Sequence, residues 1–387
     1  MRDGWVETSL GEIAEVVGGG TPSTTIGEYW DGDIVWLTPT EITSQDGTVV
    51  SDSIRKITDL GFKNSGAQML PRDSVILTSR ASVGFVALSG KELCTNQGFQ
   101  SLIPKPSVLS KFLMFWIQQN RSEFESRSAG STFKEISKSN VKSIKLQLPP
   151  LPEQKRIVDL ISSVDSYIEA LQQQLDSVKR SRNAVLHELL TTGGDDWIER
   201  KLPELVEVLD RMRKPINSTE REERKGTIPY YGANGQTGWI DEFIFNEELV
   251  LLGEDAIDFA DPSARKAYLI KGPSWVNNHA HVLRADKTIV NSYFLMESLN
   301  KVDYSHYVSF GTRSKLTQAS MNGIKLLIPP IKIQENFVDF LENFDEVIEA
   351  TQRSIEDSKV LRSGMLSDLL SGEHGIPASY DKVIGAA

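Results

Sequence analysis

Side chains suited to reading nucleic acid are gathered in short polar loops. In the first half these are "GGGTPSTT", "TSRASVG", "TNQGFQ" and "GSTFKEISKSN"; in the second, "RMRKPINS", "PYYGANGQTG", "VNNHAH" and "GTRSKLTQ". Arg and Lys pair with phosphate or guanine, Asn and Gln can hold adenine through two bonds, and Ser and Thr suit either role. Signatures of catalysis are missing by comparison. "VVGGGTPSTT" lacks the lysine of a phosphate-binding loop and a strand–loop–helix setting, and reads as a flexible turn. No G-x-G-x-x-G follows an expected strand, and the Pro-Pro pairs are followed by Leu151 and Ile331, not by the aromatic residue of an amino-methyltransferase motif. Glu223-Arg224-Lys225 spells half of a nuclease motif, but it lies in "STEREERKG", which reads as a solvated loop. His279 and His281 stand two apart on an expected strand, a metal pair without a third ligand in view. No nucleophile elbow is present.

The chain that carries these loops has 387 residues, enough for two or three domains. Its formal net charge of −11 disfavours a polyanionic partner unless the acid is segregated from the binding faces. The single cysteine, Cys94, can form neither an internal disulfide nor a structural zinc site, which suits a reducing compartment. "MRDGWVETSL" has no basic or apolar signal region, and no apolar run approaches the roughly 20 residues that cross a bilayer. The expectation is a soluble, cytoplasmic protein with no membrane partner.

The elements that position the loops are written twice. Pro149-Pro150 returns as Pro329-Pro330, 180 residues on, and Gln154, Asp159, Asp165, Ile168 and Glu169 return as Gln334, Asp339, Asp345, Ile348 and Glu349. "GWVETSLGEIAEVV" resembles "DWIERKLPELVEVL", and "TNQGFQSLIP" echoes "NNHAHVLRA". This is duplication with a period too long for a solenoid. Variable stretches hold short strand-like runs, "DIVWLTP", "DSVILTS", "GFVAL", "ELVLLGE" and "KAYLI", with one helix each in "SKFLMFWIQQN" and "VNSYFLMESLN".

The shared segments are helical. Ile157, Ile161, Val164, Ile168, Leu171 and Leu175 follow the alternating four-and-three spacing of a coiled coil, and Phe337, Leu341, Phe344, Ile348 and Ile355 keep the same phase. A helix packed on its own domain is the plainer reading; two matching stripes favour mutual pairing. About 38 residues at 1.5 Å each make a rod of roughly 57 Å. Arg182 and Arg362 interrupt both stripes at one place. Pro152 suits a first turn, Glu153 complements the helix dipole, and Gly193-Gly194 and Gly372 suit the far ends. Lys332 and Ile333 replace Pro152 and Glu153 in the second copy, and Thr351 and Ser358 soften its stripe. The fold class is α+β, with twisted, mostly antiparallel sheets, two long helices and an internal pseudo-two-fold repeat. Boundaries fall at 1–148 and 195–328 for the variable domains, 149–194 and 329–372 for the helical spacers, and 373–387 for a tail.

"LPPLPEQKRIVDLI", its eroded copy "IPPIKIQENFVDFL", "GWVETSLGEIAEVVGGGTPS" and "GTIPYYGANGQTG" together resemble the specificity subunit of type I restriction–modification enzymes over essentially the whole chain. The resemblance implies two target recognition domains, each reading half of a split double-stranded DNA sequence. It implies spacer helices packed as an antiparallel coiled coil that fixes the gap. It also implies a subunit without catalysis or cofactor of its own. Two methyltransferase subunits using S-adenosylmethionine would dock on it, and two motor–nuclease subunits using ATP and Mg would join through them. The residues expected at DNA are Thr21, Ser23, Arg80, Gln97, Ser131, Thr132 and Lys134 in the first domain. In the second they are Arg211, Lys214, Tyr230, Tyr231, Asn234, Asn278, His279, Arg313 and Lys315. The alternative is a coiled-coil protein scaffold without DNA specificity.

Overall fold

A computed structural model describes residues 4–130, 134–308 and 314–381. Four helices organise it: α1 (Ser110–Gln119), α2 (Leu151–Thr192), α3 (Ser292–Lys301) and α4 (Ile331–Ser371). Contacts divide the chain into Met1–Gln172 with Arg353–Ala387, and Gln173–Gln352. The repeat in the sequence is a domain followed by a helix. The compact unit is instead a domain with the start of its own helix and the end of the other copy's helix.

In the first unit, five strands lie in the order Ala14–Gly18, Gln100–Pro104, Val75–Leu77, Val86–Ser89 and Val49–Val50. Lys56–Ile57, Trp30–Leu37 and Cys94–Thr95 form a smaller sheet. α1 is buried continuously from Phe112 to Ile117, as a helix apolar all round must be. In the second unit, Val206–Val208, Ala280–Ala285, Leu249–Gly253 and Ala267–Ile270 make one sheet. Gly235–Ile240, Ile228–Gly232, Pro273–Val276 and Phe245–Asn246 make another. Most pairs are antiparallel, and the strands fall where the short strand-like runs placed them. Among the described residues, no helix is long and apolar enough to cross a membrane.

Each Pro-Pro pair works as a switch between two hydrogen-bonding regimes. The strand Lys145–Leu148 pairs with Val6–Ser9, and Lys325–Ile328 pairs with Ile198–Lys201. Pro149 and Pro150 cannot donate, so the ladder ends there. The Pro150 carbonyl then accepts the Glu153 and Gln154 N–H groups at 2.9 and 3.1 Å, and α2 begins. The Pro330 carbonyl does the same for Ile333 and Gln334 at 2.9 and 3.2 Å. A glutamine locks each joint. Gln154 is fully buried; its Nε2 donates to the Pro149 and Ser107 carbonyls at 2.8 and 3.0 Å, and its Oε1 accepts the Leu109 N–H at 2.9 Å. Gln334 repeats this with Pro329, Ile289 and the Asn291 N–H.

Glu153 does more than meet the helix dipole. It accepts the Trp5 indole N–H at 3.0 Å in a buried contact. The second copy has Ile333 there, 40% exposed, and Trp197 packs instead on Phe294. Helix ends match expectation: Gly193 and Gly372 have φ of +61° and +75°. The outer residues of the apolar stripes belong to the domain cores. Ile157 and Ile161 join Phe112 and Phe115 in one, while Phe337 and Leu341 join Phe294 and Leu295 in the other. Val164, Ile168, Leu171, Phe344 and Ile348 are half-buried, and Leu175 and Ile355 are buried. The tail is also structural. Ile376 is buried, Tyr380 packs on the first core, and Arg156 holds Asp381 through two bonds of 2.7 and 2.8 Å.

The two arginines that interrupt the stripes make the same bond in exchanged roles. In the first unit Arg362 of α4 clasps Asp165 of α2. In the second Arg182 of α2 clasps Asp345 of α4 at 2.6 Å. Within the second unit the helix segments run antiparallel: Arg182 meets Asp345, and Leu189, about two turns further along α2, lines a groove with Phe337 and Phe340, earlier in α4. Arg182 also holds Glu297 at 2.6 Å and Tyr293 Oη at 2.7 Å. Burial alone would lower its pKa; bonds from Asp345 and Glu297 outweigh burial and raise it. Arg182→Ala strands the buried Glu297 carboxylate and should cost about 3 kcal/mol. Arg362→Ala, at a more exposed pair, should cost about 1 kcal/mol. Chemical denaturation of the full chain measures both, and equal losses would refute the ranking.

Candidate nucleic-acid interface

Both units end their central strands in the same set of converging turns. In the first, Ser79 donates its N–H to the Gly98 carbonyl at 2.7 Å and accepts the Ile136 N–H at 3.0 Å. The Ala81 N–H reaches the Lys134 carbonyl at 2.9 Å. Asn96 Oδ1 closes a turn on the Gly98 N–H at 2.8 Å. In the second, Glu254 donates to the His279 carbonyl and accepts the Leu316 N–H, both at 2.8 Å. Asn277 Oδ1 closes the matching turn on the His279 N–H at 2.8 Å. Ala81 and Ala256, at corresponding places, have φ of +60° and +55°. Non-glycine residues in this region are strained, and such strain gathers where a loop is held for use.

The glycine-rich run is not a flexible turn. A Cβ on Gly19 would lie 2.0 Å from the Asn96 carbonyl oxygen, and one on Gly20 would lie 2.2 Å from the Gly66 backbone. The backbone approaches that closely only without side chains. Trp36 Nε1 donates to the Gly20 carbonyl at 2.8 Å, and Trp30 Nε1 to the Ser23 carbonyl at 3.1 Å. Thr21 then meets Gln97 side chain to side chain. Arg80 pairs with Glu135 at 2.8 Å, both about half exposed. Thr21, Arg80, Gln97 and Lys134 thus stand on turns that touch one another, with Ser23 on the first of them. Ser131 and Thr132 lie outside the described residues.

In the second unit Arg213, Lys315 and His279 are tied to acids. Arg213 bonds Glu254 at 2.8 Å and the Ala280 carbonyl at 2.7 Å, and lies 3.4 Å from Asp210. Lys315 reaches Glu254 at 2.8 Å, and His279 Nδ1 is 2.7 Å from Asp255. Arg211, Lys214, Asn234, Asn278, His279 and Lys315 are exposed, and the turns bearing Lys315, Asn278 and His279 converge. Asn234 donates to the Ala256 carbonyl at 2.9 Å. Tyr230 is a correction: 1% exposed, it forms a small core with Ile240 and Trp275 and cannot meet DNA there. Tyr231 is half-buried against Tyr268. Arg313 lies outside the described residues. "STEREERKG" is also corrected, since Ser218–Glu223 is a short helix with Arg221 over the Tyr230 ring.

His279 and His281 do not share a ligand. His279 turns to Asp255, and the buried His281 turns to Asp210 and the Leu316 carbonyl. Sequence reasoning missed Asp210, Arg213, Glu254 and His281 as one network. The histidine spacing was visible; a partner 71 residues away was not. Burial alone would raise the Asp210 carboxyl, but bonds from His281 and the Val282 N–H, with Arg213 beside it, hold it below its ordinary range. Glu254 is likewise held low, Lys315 and Arg213 outweighing burial.

The family model described as the type I restriction modification DNA specificity domain matches residues 2–180 and 194–357. The MjaIX type I restriction enzyme specificity subunit of Methanocaldococcus jannaschii is 28% identical, over 95% of this chain and 93% of its own. The S subunit of the type I restriction–modification system from M. genitalium has a similar fold. Its TM-score is 0.59 at 17% identity, over 95% of this chain and 96% of that one. A chain solved to explain complex assembly and conformational transition of the type I R-M system gives 0.62 at 15%, over 96% and 98%.

The depressed Asp210 and Glu254 carboxyls stabilise the folded chain fully above the ordinary carboxylate range, about pH 4. That contribution is lost as pH falls through their lower folded-state values. Acid titration followed by hydrogen exchange should show the turns at 210–214 and 314–316 opening below about pH 4. Glu254→Gln should flatten this loss; an unchanged profile would contradict the network.

Proposed function

The chain belongs to the type I restriction–modification DNA specificity family, and we propose that it reads a bipartite double-stranded DNA target, one half-site per recognition domain. One observation carries this reading. The same turns converge in both domains, through the same backbone bonds, while the side chains they present differ. Arg80, Gln97 and Gly98 in the first domain stand where Asp255, Asn278 and His279 stand in the second. A constant scaffold with exchanged base-facing groups suits two unlike half-sites. Phosphate contacts fall to cations such as Lys134, Arg211 and Lys214. The long helices set the gap between half-sites.

The chain supplies recognition and assembly, not catalysis. Two methyltransferase subunits, which use S-adenosylmethionine, dock on it, and two motor–nuclease subunits using ATP and Mg join through them. Exposed apolar residues support docking. In the second unit a groove of about 710 Å³ is lined by Leu189, Trp197, Phe294, Ile333, Phe337 and Phe340. Phe340 is 48% exposed there. In the first unit the corresponding Leu160, with Met365, packs against the domain core that also takes in Ile376 and Tyr380 of the tail.

Methylation mapping in a host carrying the complete system tests the reading. Arg80→Ala with Gln97→Ala should relax the first half-site and leave the second and the gap intact, with each lost base contact worth about 1–3 kcal/mol. Adding equal helical insertions to α2 and α4 should change the gap alone. A continuous, unsplit motif, or none that depends on this chain, would sink the proposal. Phe340→Asp should lower the number of methyltransferase subunits bound per chain, as read by mass measurement of the assembled complex.

A further inference from the structure

We infer that His281 is a positioning residue that holds the second domain's reading turns as a buried cation. The inference rests on the DNA-reading function proposed above. His281 is 1% exposed. Its Nδ1 lies 2.6 Å from Asp210 Oδ2 and its Nε2 lies 2.8 Å from the Leu316 carbonyl oxygen. A carbonyl can only accept. Asp210 Oδ1 already accepts the Val282 N–H at 2.8 Å, and Arg213 approaches Oδ2 at 3.4 Å, so this carboxylate accepts as well. Both ring nitrogens therefore donate, and only the imidazolium has two N–H groups.

The charges facing the ring make that cation affordable in a buried place. Asp210 and Arg213 come from the turn at 210–213, Glu254 from the end of Leu249–Gly253, and Lys315 from the segment before Leu316. Glu254 is held by both Arg213 and Lys315, while Asp210 is left chiefly to His281. A third acid, Asp255, is engaged by His279. One ring thus ties together the turn bearing Arg211 and Lys214, its own strand with Asn278 and His279 just before it, and the turn bearing Lys315. The first domain has no such ion. Gln100 occupies the corresponding strand position after "TNQGF", and its Oε1 is buried without a hydrogen bond among the described residues. The clamp is therefore a property of the second half-site.

Methylation mapping with His281→Gln and Asp210→Asn, each in the complete system, reads this role. Both variants should keep the first half-site and the gap, and lose about tenfold or more of the discrimination at bases of the second half-site. Nitrogen NMR of the wild-type full chain labelled in histidine should show both His281 ring nitrogens protonated at neutral pH, the signal being identified by its shift in Asp210→Asn. A neutral ring in the wild type overturns the inference even if a variant fails to fold. So does an unchanged second half-site in both variants, or equal loss of both half-sites, which marks a general folding defect. A wild-type system with no split motif overturns the DNA-reading function itself, and the positioning role with it.

Discussion

The architecture depends on a buried amide at each joint. A glutamine side chain removed from water must satisfy both its oxygen and its nitrogen, and Gln154 and Gln334 do so entirely on backbone. One partner is the carbonyl of the first proline, which has just ended a strand. The others are the turns leading into α1 and α3. Strand end, long-helix start and domain-helix start are thereby held by one side chain. An apolar residue would fill the space and leave three backbone groups unpaired. The prolines decide where the ladder stops, and the glutamine decides where the helix points from there.

The exchanged Arg–Asp pairs follow from the same duplication. Because Asp165 and Arg182 each have a twin in the second copy, the segments of α2 and α4 within each unit can make one bond with roles reversed. The copies have diverged around it. Arg182 gathered Glu297 and Tyr293, while Arg362 lies over the Phe115 ring. The tail joins the first unit's core, whereas the second unit keeps an apolar groove beside Phe340. A repeat that began symmetric has become two joints of unequal chemistry.

In the proposed function, the converging turns let an acidic protein approach DNA. Arg80 and Lys315 each sit against a carboxylate, which sets their positions within the fold. Such pairs gain little net energy at a surface, but they set geometry. A cation held in place loses less side-chain freedom when it meets a ligand, and its acid partner penalises a poorly placed one. The net charge of −11 is thus no measure of what the loops present.

The sequence by itself determined the duplication, the paired helices with their glycine ends, the strands and the polar loops. Each rests on local chemistry: prolines that cannot donate, a four-and-three apolar period, short β-rich runs between polar turns. It also pointed to "TNQGFQ" and "NNHAH" as counterparts, which the matching Asn96 and Asn277 turns bear out. Only the tertiary structure decided that Tyr230 is core, that Glu153 serves Trp5, and that the glycine-rich run is closely packed. Only it joined His281 to Asp210 and Leu316, and grouped each domain with half of the other copy's helix. These are contacts between residues far apart in the chain. Their energies depend on burial and on exact partners, and no spacing in the sequence encodes either.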